Sequence, residues 1–134
     1  MVNKQLLFPD SIVVIGGSND IKKPGGKVLK NLIEGKFKGD LYVTNPKETL
    51  VQGIVSYTDP FELPFVDLAI IAIAAKYILK TITLLAKQKN TKAFIILSAG
   101  FSEEGEEGKI LEQKIVDIID SVGGSLIGPN CIGA

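Results

Sequence analysis

The stretch Gly16-Gly17-Ser18-Asn19-Asp20-Ile21-Lys22-Lys23-Pro24-Gly25-Gly26 is where residue types and spacing point most directly to chemistry. Glycines let a backbone turn tightly and come close to a ligand. A helix starting here would offer unpaired N–H groups, and the positive end of its dipole, to an anion. Pro24 suits a helix start, where the N–H it lacks would have had no partner. Two common phosphate-binding patterns are absent. Ser18 replaces the second glycine of G-x-G-x-x-G, and no Gly-Lys-Ser/Thr follows as in a P-loop. An ordinary Gly-rich turn between strand and helix is the structural alternative.

A second signal is Asn45-Pro46-Lys47. In a dinucleotide-binding sheet the second strand usually ends in an acidic residue that accepts the ribose hydroxyls. A lysine there suits a phosphorylated ribose, as in NADP or the 3′-phosphate of coenzyme A, although most lysines are simply solvated. The small-residue run Ala72-Ile73-Ala74-Ala75 would let a thin ligand lie near the backbone, or would pack a helix on a sheet. Ser98-Ala99-Gly100-Phe101-Ser102 precedes Glu103, Glu104, Glu106 and Glu107. Ser102 is an N-cap candidate there, and the glutamates complement a helix dipole without any catalytic role. Carboxylates repel phosphate, so an anion belongs near Lys22, Lys23, Lys27 and Lys47 instead. In Gly128-Pro129-Asn130-Cys131-Ile132-Gly133, Cys131 has no histidine to activate it and reads as a small pocket-lining residue.

The elements that must position these loops follow from hydrophobic period. Nearly continuous apolar runs at Ser11–Ile15, Leu41–Thr44, Asp67–Ile73, Ala93–Leu97 and Ser125–Ile127 predict strands covered on both faces. Helical spacing joins Val28, Leu29, Leu32 and Ile33. It also joins Ile78, Leu79, Ile82, Leu85 and Ala86, and then Leu111, Ile115, Ile118, Ile119 and Val122. The order predicts an α/β fold, Rossmann-like and doubly wound, with a mainly parallel five-stranded sheet and helices on both faces. Between Glu48 and Pro64 the pattern breaks, and only Ile54–Tyr57 reads as a small extra strand. Ligands of such sheets sit beyond the carboxyl ends of the strands, where these loops fall.

Composition narrows the chemistry. The chain has 134 residues, 15 basic against 15 acidic, one cysteine and no histidine. Its length suits one domain, 1–134. Zero net charge argues against non-specific nucleic-acid binding. No stretch resembles a signal peptide or a membrane span, and a single cysteine forms no internal disulfide, so the expected location is cytoplasmic. Without histidine, imidazole-based catalysis within this chain is excluded.

Taken together, Phe8-Pro9, Ser11-Ile12, Val14-Ile15-Gly16-Gly17-Ser18-Asn19-Asp20, Asn45-Pro46-Lys47, Asp67-Leu68-Ala69, Ser98-Ala99-Gly100-Phe101-Ser102-Glu103 and Gly128-Pro129-Asn130-Cys131-x-Gly133 occur in one order. This resembles the N-terminal CoA-binding domain of the NDP-forming acyl-CoA synthetases. That family includes the ADP-forming acetate–CoA ligases and is related to the succinyl-CoA synthetase α subunit.

The resemblance implies that the domain holds coenzyme A while acyl-CoA, ADP and phosphate interconvert with acid, CoA and ATP. It assigns the CoA phosphates to Gly16, Gly17, Ser18, Asn19, Lys23 and Gly25, and the nucleotide end to Lys47. The pantetheine path would follow Ala74 and Ser98, Ala99, Gly100 and Phe101, with Asn130 and Cys131 near the thiol. It implies partner domains carrying a phosphohistidine and an ATP-grasp nucleotide site, and no catalytic residue or metal in this chain. Ile21, Pro24 and Ala74 depart from the usual residues at their positions. The expectation is thus a domain excised from a longer chain. The alternatives are an NADP-binding oxidoreductase domain and a stand-alone small CoA-binding regulatory protein.

Overall fold

Ser11–Ile15 forms strand β1, Asp40–Thr44 β2, Leu68–Ile71 β5, Ala93–Ile96 β6 and Ser125–Ile127 β7, where their β-branched and apolar residues favour extended backbone. The structure, a computed structural model, describes residues 3–97 and 105–128. The five strands form one parallel sheet in the order β2-β1-β5-β6-β7. Leu50–Val51 (β3) and Ile54–Val55 (β4) form a separate antiparallel hairpin. The expected extra strand is therefore half of a pair, and Tyr57 makes only an isolated bridge to Thr44.

Burial on both faces explains why the strands read as continuous apolar runs rather than alternating ones. Val13, Ile15, Ala69, Ile71, Phe94 and Ile96 face helices α3 (Ala75–Gln88) and α4 (Glu106–Ser121), meeting Ile78, Ile82, Leu85, Ile115 and Ile119. The opposite face carries Ile12, Val14, Val43, Leu68 and Ile70. It is covered by helix α2 (Pro24–Glu34), by Leu6 of the short helix α1 (Lys4–Leu7) and by Val51 of the hairpin. A doubly wound α/β sheet is the result. Among the described residues no helix is long and apolar enough to cross a membrane.

Ile33, in the last turn of α2, is 38% exposed. Helix α2 lies over β2, the edge strand of the sheet among the described residues, so its packed stripe is narrower than its apolar pattern. Ser102 lies outside the described residues. Helix α4 starts after Gly105, at φ +66°, and its first turn holds Glu106 and Glu107.

The register aligns Ile15 with Thr44 on one side and with Ile71 on the other. The loops after β1, β2 and β5 therefore leave the sheet side by side. Chain order reverses between β1 and β5, which is the switch point where open α/β sheets bind ligands.

Phe94, wholly buried under α3 and α4, should tolerate truncation poorly. Phe94→Ala should lower unfolding free energy by about 3–5 kcal/mol, read from the urea midpoint. Tyr42 meets Tyr57 edge to face at 6.1 Å. Burial pushes the Tyr42 phenol up, with Asp40 and Tyr57 adding to the effect. The fold thus favours the protonated phenol. Its contribution should persist up to the ordinary tyrosine range, near pH 10, and be lost as pH rises through the raised value. Tyr42→Phe should flatten that alkaline loss in a pH series of thermal midpoints.

Candidate functional site

The loop after β1 is built from backbone contacts that only glycine permits. Gly16 has φ +85°, and a Cβ on it would strike the Ala72 carbonyl across the switch point. A Cβ on Gly25 would strike the Gly16 carbonyl, and one on Gly26 the Asp20 carbonyl. The start of α2 therefore sits directly on the end of β1. The Gly16 N–H donates to the Thr44 carbonyl (3.2 Å) and to Thr44 Oγ1 (3.3 Å), and Gly17 N–H to the same carbonyl (3.1 Å).

Within the loop, the Asp20 N–H donates to Ser18 Oγ (2.9 Å) and the Lys22 N–H to the Asp20 carboxylate (2.9 Å). Lys23 is the N-cap of α2 and makes no side-chain cap, and its first turn contains no acidic residue. Pro24 stands in that first turn and has no N–H to offer. At the start of α2 the Gly25 and Gly26 amides therefore have no side-chain cap.

The loop after β2 locks to the first. Asn45 Nδ2 donates to the Gly17 carbonyl (2.9 Å), while its Oδ1 accepts from the N–H groups of Lys47 (2.8 Å) and Glu48 (2.9 Å). Lys47 is exposed, as are Lys22, Lys23 and Lys27.

The hairpin supplies a third lock that the sequence reading missed. Asn19 Nδ2 donates to the Leu50 carbonyl (3.1 Å) and Asn19 Oδ1 accepts from the Gln52 N–H (2.7 Å), so both polar atoms of Asn19 are engaged by the hairpin. Gln52 Nε2 donates to the carbonyls of Ser18 and Gly26, each at 2.8 Å. The signal available in the sequence was Gln52-Gly53 between two apolar pairs, a two-residue hairpin turn.

Beside these loops, on the α3 side, lies a cavity of about 540 Å³. Ile15, Gly16, Thr44, Pro46 and Ile73 bring the strand ends to it, and Phe61, Tyr77, Thr81 and Leu84 wall the far side. The Phe61 wall is held by a 3-10 turn (Pro60–Glu62) with a reciprocal cap. The Asp59 carboxylate accepts from the Phe61 N–H, and Glu62 accepts from the Asp59 N–H. Lys89 lies 5.3 Å from the Phe61 ring centroid and Lys76 lies 5.1 Å from that of Tyr77. The Phe61 and Tyr77 walls were also missed, because only the fold brings residues of separate loops and helices onto one cavity.

Of the expected site residues, Gly16, Gly17, Ser18, Asn19, Lys23, Gly25 and Lys47 gather at the carboxyl ends of β1 and β2. Ala74 caps the start of α3, exposed, beyond β5. Ser98, Ala99, Gly100, Phe101, Asn130 and Cys131 lie outside the described residues. Among the described residues no His, Cys, Asp and Glu cluster suited to a metal ion occurs.

A family model described as a CoA binding domain matches residues 10–134. The chain is 44% identical over 126 residues to the α subunit of an ADP-forming acetate–CoA ligase II from Pyrococcus furiosus, covering 93% of this chain and 27% of that one. It is 39% identical to a trans-feruloyl-CoA synthase from an unknown prokaryotic organism, over 96% of this chain and 18% of the relative. Among solved structures it matches a dinucleotide-forming acetyl-coenzyme A synthetase 1 from Ca. Korarchaeum cryptofilum, in complex with phosphate and ADP. The TM-score is 0.84 and the identity 32%, over 97% of this chain and 28% of that one. The chain thus spans less than a third of each of these relatives.

The Gly16–Gly25 approach makes a direct test. Gly25→Ala must lift the start of α2 from β1, and should cost about 1–3 kcal/mol of stability in urea denaturation.

Proposed function

The chain belongs to the CoA-binding domain family, and from that membership we propose that it holds coenzyme A across the carboxyl ends of β1, β2 and β5. The observation that carries this reading is the uncapped start of α2 set on the end of β1, with an apolar cavity adjoining it at Gly16. Phosphates want the amides and the dipole of that helix start, and a nucleobase wants a flat, largely apolar slot. CoA offers both in one molecule.

In this reading the diphosphate lies over Gly16–Lys23 and the first turn of α2. Lys47, behind Pro46, meets the 3′-phosphate. The adenine enters the cavity between Pro46, Ile73, Phe61 and Tyr77, where an aromatic face has two rings to meet. Pantetheine would then run toward Ala74 and the Ser98–Phe101 segment, with the thiol end near Asn130 and Cys131.

We further read the chain as one part of an acid–thiol ligase that interconverts acyl-CoA, ADP and phosphate with acid, CoA and ATP. A phosphoryl-carrying histidine must then come from another part of the protein, since this chain has none. The acid is not chosen here. Relatives named for acetate and for feruloyl-CoA share this same domain, so selectivity belongs to other parts.

Calorimetric titration tests the reading. The chain should bind CoA, and more weakly dephospho-CoA. Lys47→Ala should weaken CoA by about 1.5 kcal/mol, roughly tenfold, and leave dephospho-CoA unchanged. Equal discrimination by parent and variant would remove Lys47 from the nucleotide end. Tight NADPH binding with no response to CoA would overturn the coenzyme assignment itself.

A further inference from the structure

The hairpin turn between β3 and β4 contains a residue that its local geometry does not favour. Gln52 and Gly53 both have positive φ, at +50° and +86°, which is the two-residue turn of type I′. Asparagine is the residue preferred at the first of these positions, because its short side chain tolerates left-handed backbone. Glutamine has one methylene more and gains nothing within the turn. Its length is used elsewhere. Gln52 Nε2 donates to the Ser18 and Gly26 carbonyls, one in the loop after β1 and the other in the first turn of α2.

We propose that Gln52 is a positioning residue for coenzyme binding, a strut that holds the loop and the helix start at the separation a diphosphate needs. It touches no phosphate itself, because both donors of its amide point to protein carbonyls. Its backbone N–H, bound by Asn19 Oδ1, ties the turn to the same loop, so the hairpin acts as one clamp. The hairpin body is anchored independently. Val51 is fully buried against Val14, Leu29 and Val43, so the clamp has a rigid footing in the core. An observed unfavourable backbone conformation next to a binding loop is where such preorganisation is expected. The proposal rests on the coenzyme reading above.

Two kinds of variant separate positioning from stability. Gln52→Asn and Gln52→Gly keep or ease the turn but cannot span both carbonyls. Ile119→Ala leaves the hairpin and its amide contacts and empties part of the core between α4 and the sheet. In calorimetric titration of the full chain with CoA, the two Gln52 variants should raise Kd about tenfold, a loss typical of one misplaced phosphate contact. Their thermal midpoints should fall less than that of Ile119→Ala, which should keep a Kd close to the parent's while still folded. Amide exchange in 16–26 should quicken in the Gln52 variants, with α3 and β6 unchanged. The proposal is overturned if the Gln52 variants keep the parent's Kd, or if affinity merely tracks the midpoint across all three. A parent that binds no CoA defeats the coenzyme reading instead. In that case unchanged exchange across 16–26 would still refute the strut.

Discussion

The approach of one backbone to another at the end of β1 governs the rest of the site. Helix α2 can begin on the strand because Gly25 presents no Cβ to the Gly16 carbonyl, while Gly16 and Gly26 clear the Ala72 and Asp20 carbonyls. That closeness aims the helix start at the sheet's switch point rather than at solvent. It also leaves Gly16 as a shared wall between the amide cluster and the cavity. Any side chain there would separate the two halves of the site. The cost of so many glycines is conformational freedom in the unfolded chain. The surrounding locks oppose it: Asn45 to Gly17, Asn19 to Leu50, and Gln52 to Ser18 and Gly26.

Charge is distributed to match. The chain is neutral overall, so no long-range field draws polyanions to it. Locally the balance is uneven. Lys22, Lys23, Lys27 and Lys47 surround the first two loops, while Glu106 and Glu107 occupy the first turn of α4 beyond β6. Two helix starts thus differ in what they accept. That of α4 already has carboxylates near its dipole, whereas that of α2 has neither a cap nor an acid. A ligand with a phosphate end and an uncharged end gains a single orientation from this arrangement.

Much of the fold was legible because burial on both faces of a parallel sheet leaves a continuous apolar signature, as at Val13-Val14-Ile15 and Ala69-Ile70-Ile71. The glycine loop and Asn45-Pro46-Lys47 were legible because backbone demands select residue types. The start of α4 was not. The helix begins after Gly105, which takes a positive φ and has no side chain to cap it, so no local capping signature marks that start.

The amino-acid order by itself determined the layers of the sheet, the loops at its carboxyl edge, the absence of imidazole chemistry and the sign of charge around each loop. Those properties depend on period and composition, which are local. Only the tertiary structure decided that Gln52 spans two carbonyls more than twenty residues away, and that Asn19 is engaged by the hairpin. It likewise decided that Phe61 and Tyr77 face one cavity with Gly16. These contacts join segments distant in sequence, and nothing in the local pattern of either partner encodes the other. They exist because the packed core places β3 and β4 over α2, and the 3-10 turn beside α3, at one end of the same sheet.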